Sequence, residues 1–182
     1  MMSSDLGSGG MISPVLSIET KPERSMQSMY IKFDGINGES FDKDHKDQID
    51  VLSYSYAVTQ STSSASGGGS GVGRANFGNF MFTHNKDIAS PNLMLYCAKG
   101  KVIPTVVFAA TKAGDGQQQF ETTTFTNVLI TGVSIIGATN SPRSLEQVTF
   151  SYTKIKMEVK KQNEDGSLGA AVTGDWDVKE NK

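Results

Sequence analysis

The chain is short of the residues most often used for chemistry. Its 182 residues include one cysteine, Cys97, and two histidines, His45 and His84. A single cysteine permits no intramolecular disulfide, so cross-links do not hold the fold. That suits folding in a reducing compartment, or an export route that carries folded protein. Arginine occurs only at positions 24, 74 and 143, which leaves few bidentate phosphate ligands. The formal net charge is −2, so there is no electrostatic footprint for nucleic acid or for an anionic membrane surface. No apolar run approaches the ~20 residues that span a bilayer. The first 21 residues lack the basic start and sustained apolar stretch of a signal peptide. With 37% apolar and 20% charged residues, the composition is that of a globular chain with a real core.

Catalytic patterns are equally scarce. His45 lies in the charged stretch Asp42–Asp47 and reads as part of a solvated turn. His84 closes a strand candidate and reads as structural or surface-exposed. No His-x-x-x-His pair points to a metal. Cys97 sits among apolar residues, where a small buried role is expected rather than a nucleophile. Gly68 and Gly73 have phosphate-loop spacing, but Arg74 and Ala75 stand where lysine and a metal-binding hydroxyl are required. Gly69-Ser70-Gly71 matches a nucleophile elbow only superficially, having no strand-to-helix turn around it. The turn Asp34–Glu39 lacks the carboxylate spacing of a calcium loop. Asp175 and Asp177 read as exposed alternation on an edge strand, and Trp176 as a packing anchor or subunit contact. The sequence therefore points to no enzyme, no cofactor and no catalytic or metal-ligating residue.

What is present is mostly β. Residues 1–28, with the linker-like run Asp5–Gly10, Pro14 and Pro22, read as an N-terminal extension or expression remnant. The runner-up is an arm adding a strand, Val15–Ile18, to a neighbouring subunit. Residues 29–182 read as one domain. Met29–Phe33 alternates and ends in the turn pair Asp34-Gly35. Ile49–Val58 reads as one strand carrying Tyr54 and Tyr56. Further strands are expected over 76–83, 102–111, 120–134, 148–160 and 172–178. In Val148–Lys160 the apolar parity switches from Val148, Phe150 and Tyr152 to Ile155, Met157 and Val159. A bulge near Thr153-Lys154, or a strand passing between two sheets, would cause that. Ala113–Gly116 reads as a hairpin loop. One helix is expected, with Ser90 as N-cap, Pro91 at the first position and Gly100 beyond its end. The helix is apolar nearly all round, as a helix against a sheet or plugging a barrel end would be. The pattern predicts a mainly β barrel or sandwich. Between two strands lies the Ser/Gly run Thr59–Gly73, which cannot build a core of its own.

Tyr30–Ser40, Asp44-His45, Ile49–Tyr56, Ser90–Met94, Lys99–Lys101, Lys112–Gly114 and Val128–Ile130 resemble, in their order and spacing, the Hcp family of bacterial type VI secretion. The resemblance covers roughly Met29–Val178. It implies a β-barrel of two sheets with one short α-helix alongside and an extended hairpin arm. It implies a homohexameric ring, rings stacked into a tube, and a spike protein, a sheath and effector proteins as partners. It implies residence in the bacterial cytoplasm followed by type VI export without a signal peptide. On this reading the loop after Ile136 looks into the channel, with Ala138 and Thr139 as lumen or cargo contacts. Ser63, Ser64, Ser66, Gly67, Gly68, Gly69, Ser70 and Gly71 form a ring-stacking arm. The competing reading is a stand-alone β-sandwich that binds a ligand such as carbohydrate, with Tyr54 and Tyr56 as a stacking platform.

Overall fold

The computed structural model describes residues 27–62, 72–112 and 118–182. The N-terminal run, arm residues Ser63–Gly71 and the hairpin loop at Ala113–Gly116 lie outside the described residues.

Eleven strands and one helix follow in the order β1 (Gln27–Phe33), β2 (Ile49–Val51), β3 (Ser53–Ser55), β4 (Val58–Thr62), β5 (Val72–Phe77), β6 (Phe80–Asn85), α1 (Ser90–Lys99), β7 (Val102–Lys112), β8 (Gln119–Ile136), β9 (Leu145–Ser151), β10 (Lys154–Gln162) and β11 (Leu168–Asp177). Nine strands form one sheet along the path β2-β1-β7-β8-β9-β6-β3, with β10 and β11 branching from β8. β4 and β5 form a separate two-stranded sheet.

This corrects the expected barrel: the sheet is not closed. Its two ends are β2 and β3, and no ladder joins them. The reason lies in Ile49–Val58, which the alternation reads as one strand. β2 pairs with β1, while β3 pairs with β6. Leu52 between them is half exposed, and its N–H donates to Thr83 O. The inward side chains change from Ile49 and Val51 to Tyr54 across that residue. Two successive pieces of one segment cannot pair with each other, so the ends meet through the chain itself.

The parity switch in Val148–Lys160 has a matching break. β8 carries β9 along its C-terminal half and β10 along its N-terminal half. The chain turns from β9 to β10 at Tyr152-Thr153. Opposite the break, Asn127 takes φ 51°, a left-handed conformation that asparagine tolerates. Its Nδ2 donates to Thr153 Oγ1 at 3.2 Å.

Between the sheet's inward faces lies an aromatic core. Phe33, Phe80, Phe82, Phe108, Phe125 and Phe150 are fully buried. Phe80 alone meets the rings of Tyr54, Phe108, Phe125 and Phe150 at 4.9–5.6 Å. Each such side chain contributes about 1.5–3 kcal/mol by burial.

The helix starts differently from the sequence expectation. Ala89 is the N-cap and offers no side-chain bond; Ser90 is already helical. The Asp87 carboxylate accepts the Ala89 N–H at 2.9 Å instead. Gly100 ends the helix at φ 59°, where a Cβ would be strained. Only Ser90 and Leu93 are buried along α1, so its apolar girth is not all spent on the core: Met94 and Leu95 stay substantially exposed.

Candidate functional site

The strands β3, β6, β9 and the end of β8 run side by side. In-register partners share a face of a sheet, so the pairings sort their side chains. On the inward face lie rows such as Tyr54, Phe82, Val148 and Val133. On the outward face one row is Ser53, Thr83, Gln147 and Ser134. The next is Ser55, Met81, Thr149 and Gly132. A third, at the rim, is Asn85, Leu145 and Ile136. None of these positions carries an ionisable group. Ser53 Oγ and Thr83 Oγ1 satisfy each other at 2.6 Å, and Thr131 Oγ1 donates to Thr149 O at 3.1 Å.

The outward face of β10 and β11 is built differently. Lys154 stands opposite Asp177 and Lys156 opposite Asp175, with Glu158 beside Thr173. Lys154 Nζ lies 2.9 Å from Asp177 Oδ2. Hydrogen bonding from Lys154, reinforced by the Glu180 N–H, holds the Asp177 carboxyl below the usual carboxylate range despite some desolvation. One outward face is therefore charged, as a solvated sheet face normally is, and the other is made of hydroxyls, amides and a few apolar tips.

Ala138 and Thr139 are exposed on the 137–144 loop, which continues from the β8 end of the uncharged face. The loop is tied down. Ser141 N–H donates to Ala138 O at 3.1 Å, Lys86 N–H to Ser144 O at 2.8 Å, and Arg143 Nη1 lies 2.9 Å from Glu39 Oε2. The arm's base is also anchored. Arg74 Nη2 donates to the carbonyls of Val178 and Lys179, and Phe77 stacks on Trp176 at 6.1 Å.

The other singled-out residues do not gather into a reactive site. His45 is buried rather than solvated, stacked on Tyr30 with ring centroids 4.2 Å apart. His84 is fully buried, its Nε2 2.8 Å from Glu146 Oε2, which also accepts the Ser90 hydroxyl at 2.7 Å. Glu146 was missed in the sequence, where it looks like any polar residue before a strand. Serine, carboxylate and imidazole meet here, but the carboxylate stands between the other two. The imidazole cannot take the serine proton, so this is not a nucleophile-activating triad. Among the described residues no three His, Cys, Asp or Glu side chains converge to hold a metal ion, and no helix is long and apolar enough to cross a membrane. Tyr54 and Tyr56 pack their rings on Phe80 at 5.6 and 5.8 Å, which removes the carbohydrate platform.

Comparison with known proteins decides the family. The family described as "Type VI secretion system effector, Hcp" matches residues 30–159. The chain belongs to the Hcp family. It is 36% identical over 155 residues to protein hcp1 of Pseudomonas aeruginosa, covering 84% of this chain and 96% of that protein. Among solved structures it is similar to Hcp1 from Salmonella typhimurium, with 33% identity, a TM-score of 0.70, and coverage of 86% of this chain and 98% of that one. It is similar also to a type VI secretion effector from Yersinia pestis, with 35% identity, a TM-score of 0.67, and coverage of 82% and 99%. As an Hcp protein the chain is a structural subunit of the type VI secretion inner tube and serves effector export. Hcp-family proteins form hexameric rings and are secreted by the type VI route.

Proposed function

We propose that the chain closes into a ring of six with its uncharged face turned inward, and that rings stack into a tube. The contrast between the two outward sheet faces carries this reading. Fixed charges on a channel wall would hold or repel each cargo according to its own charge. Hydroxyls and amides exchange hydrogen bonds with water and cargo alike. The dimensions agree. Four strands at about 4.8 Å span about 19 Å, and six such faces give a wall of about 115 Å, a bore of roughly 37 Å between backbones. A folded domain of 100 residues, with a radius of gyration of about 13 Å, is close to filling it.

Ala138 and Thr139, at the rim of that face, are the cargo contacts in this arrangement. Residues Ser63–Gly71 form the arm that reaches the next ring, from a base held by Arg74 and Phe77. Residues 29–182 form the ring-building domain, with 1–28 an extension outside it. Spike, sheath and effector proteins are the partners, and the chain passes from the cytoplasm out by the type VI route.

Native mass spectrometry tests the ring: the expected species is six times 19.5 kDa, and a monomer at every concentration overturns the reading. Gln147→Lys then tests the face. The ring mass should hold while co-purification of a basic effector falls; unchanged retention would show that the wall lies elsewhere. Ala138→Trp should act likewise. Deleting Ser63–Gly71 should leave rings but weaken stacking, and normal tubes from that variant would sink the role of the arm.

A further inference from the structure

The loop from Asn37 to Gln48 holds one apolar side chain that the fold of a single chain does not bury. Phe41 is 99% exposed, so its ring adds nothing to the stability of a single chain. Yet the backbone around it is fixed. Gly38 N–H donates to Asp47 O at 2.8 Å, Ser40 N–H to Gln48 O at 2.9 Å, and Asp47 N–H to Ser40 O at 3.1 Å. On the other side, Asp42 Oδ1 accepts the N–H groups of Asp44 and His45, and Asp42 Oδ2 accepts the Tyr30 hydroxyl at 3.1 Å. A phenyl ring between two pinned residues is preorganised for contact and loses little backbone freedom when it docks.

Its place in the fold says which contact. The loop lies against Tyr30. Ile31 and Phe33, Tyr30's neighbours along β1, point into the core, so Tyr30 and the loop are on the outward face of β1. Phe33 meets Phe82 of β6 and Phe150 of β9 across the core at 5.9 and 5.8 Å. The loop is thus on the far side of the core from the uncharged face. Along the loop and the start of β2, Asp42, Asp44, Asp47 and Asp50 outnumber Lys43 and Lys46 in the sequence.

We infer that Phe41 is the anchor by which the outer wall of the tube docks a protein that encloses it, one that offers an apolar socket rimmed by basic side chains. This rests on the orientation given under Proposed function, in which the uncharged face lines the bore and Phe41 therefore stands outside. Cargo inside the bore cannot reach it. The acidic collar selects a basic rim, and a buried aromatic at the centre of a contact is the usual energetic anchor.

The test uses tubes of the full chain and purified sheath protein of the same secretion system. With the photo-crosslinking residue p-benzoylphenylalanine in place of Phe41, irradiation should link the chain to the sheath protein. Phe41→Ser should leave ring mass and tube formation unchanged while weakening sheath co-sedimentation by roughly thirtyfold or more, and Phe41→Leu should restore much of it. Cross-links only to a second copy of this chain, loss of rings in Phe41→Ser, or sheath binding equal to the parent chain would each overturn the inference. Parent protein that forms no rings would instead refute the tube orientation beneath it.

Discussion

Removing the Glu146 carboxylate should be among the most damaging single changes available in this fold. Glu146 on β9 and His84 on β6 are cross-strand partners, both fully buried. Glu146 Oε2 takes the contact from His84 Nε2 at 2.8 Å and the Ser90 hydroxyl at 2.7 Å, so one oxygen ties two strands to the start of α1. Glu146→Ala removes the acceptor of the buried Ser90 O–H and the partner of the buried His84 Nε2. Breaking a buried ionisable pair from one side costs about 3–5 kcal/mol. The independent figure of about 1–3 kcal/mol for each unsatisfied buried group gives about 2–6 kcal/mol for two, which brackets it. At about 2–4 °C per kcal/mol for a domain of this size, Tm should fall by about 6–20 °C. Thermal melting followed by circular dichroism, with ring mass checked in parallel, reads this directly. The double change His84→Leu with Glu146→Leu should recover most of the loss, because it leaves no buried ionisable group of the pair unpaired. A Glu146→Ala protein melting within about 2 °C of the parent would refute the reasoning.

Three other outcomes are expected. Burial pushes the Asp87 carboxyl up against the pull of His84, so the folded state disfavours its ionised form, and that cost is present above the raised pKa and absent below the unfolded value. Asp87→Asn should therefore raise Tm at pH 7, with the gain fading as pH falls, in melts taken between about pH 4 and 8. Burial, helped for Tyr30 by the Asp42 hydrogen bond and for Tyr152 by Tyr56, raises both phenols to about 12. In an ultraviolet titration these two should stay protonated past the ordinary tyrosine range, and stability should drop between pH 10 and 12, where the unfolded chain ionises first. At Gly38 a Cβ would fall on the carbonyl of Gln48, 2.6 Å from its carbon. Gly38→Ala should open the loop that mounts Phe41 and expose Tyr30, seen as a lower Tm and faster amide exchange in residues 37–48.

Much of this architecture is legible in the sequence because the local signals agree with one another. Pro91 and Gly100 bracket the helix, and the parity switch after Tyr152 marks the passage from β9 to β10. What the sequence hides is long-range. The alternation of Ile49–Val58 is compatible with one strand, and only the separate demands of β1 and β6 split it at Leu52. His45 is surrounded by charges in the chain but covered in space by Tyr30, a partner 15 positions away. The uncharged face could not be read as a face until the pairings put Ser53 beside Thr83 and Thr83 beside Gln147. The signal existed in each strand as hydroxyl or amide residues where solvated strands carry lysine or glutamate. Its meaning needed the register.

The seam at Leu52 matters once the molecule bears load. A tube subunit is pushed, and shear between its two sheet faces falls on whatever joins their margins. A ladder there could peel one hydrogen bond at a time. Here the margins are consecutive stretches of polypeptide, so the join between β2 and β3 yields only if covalent bonds stretch or the flanking strands leave β1 and β6 together. Mechanical failure should begin elsewhere, at the outer edge of β11, which among the described residues pairs only with β10.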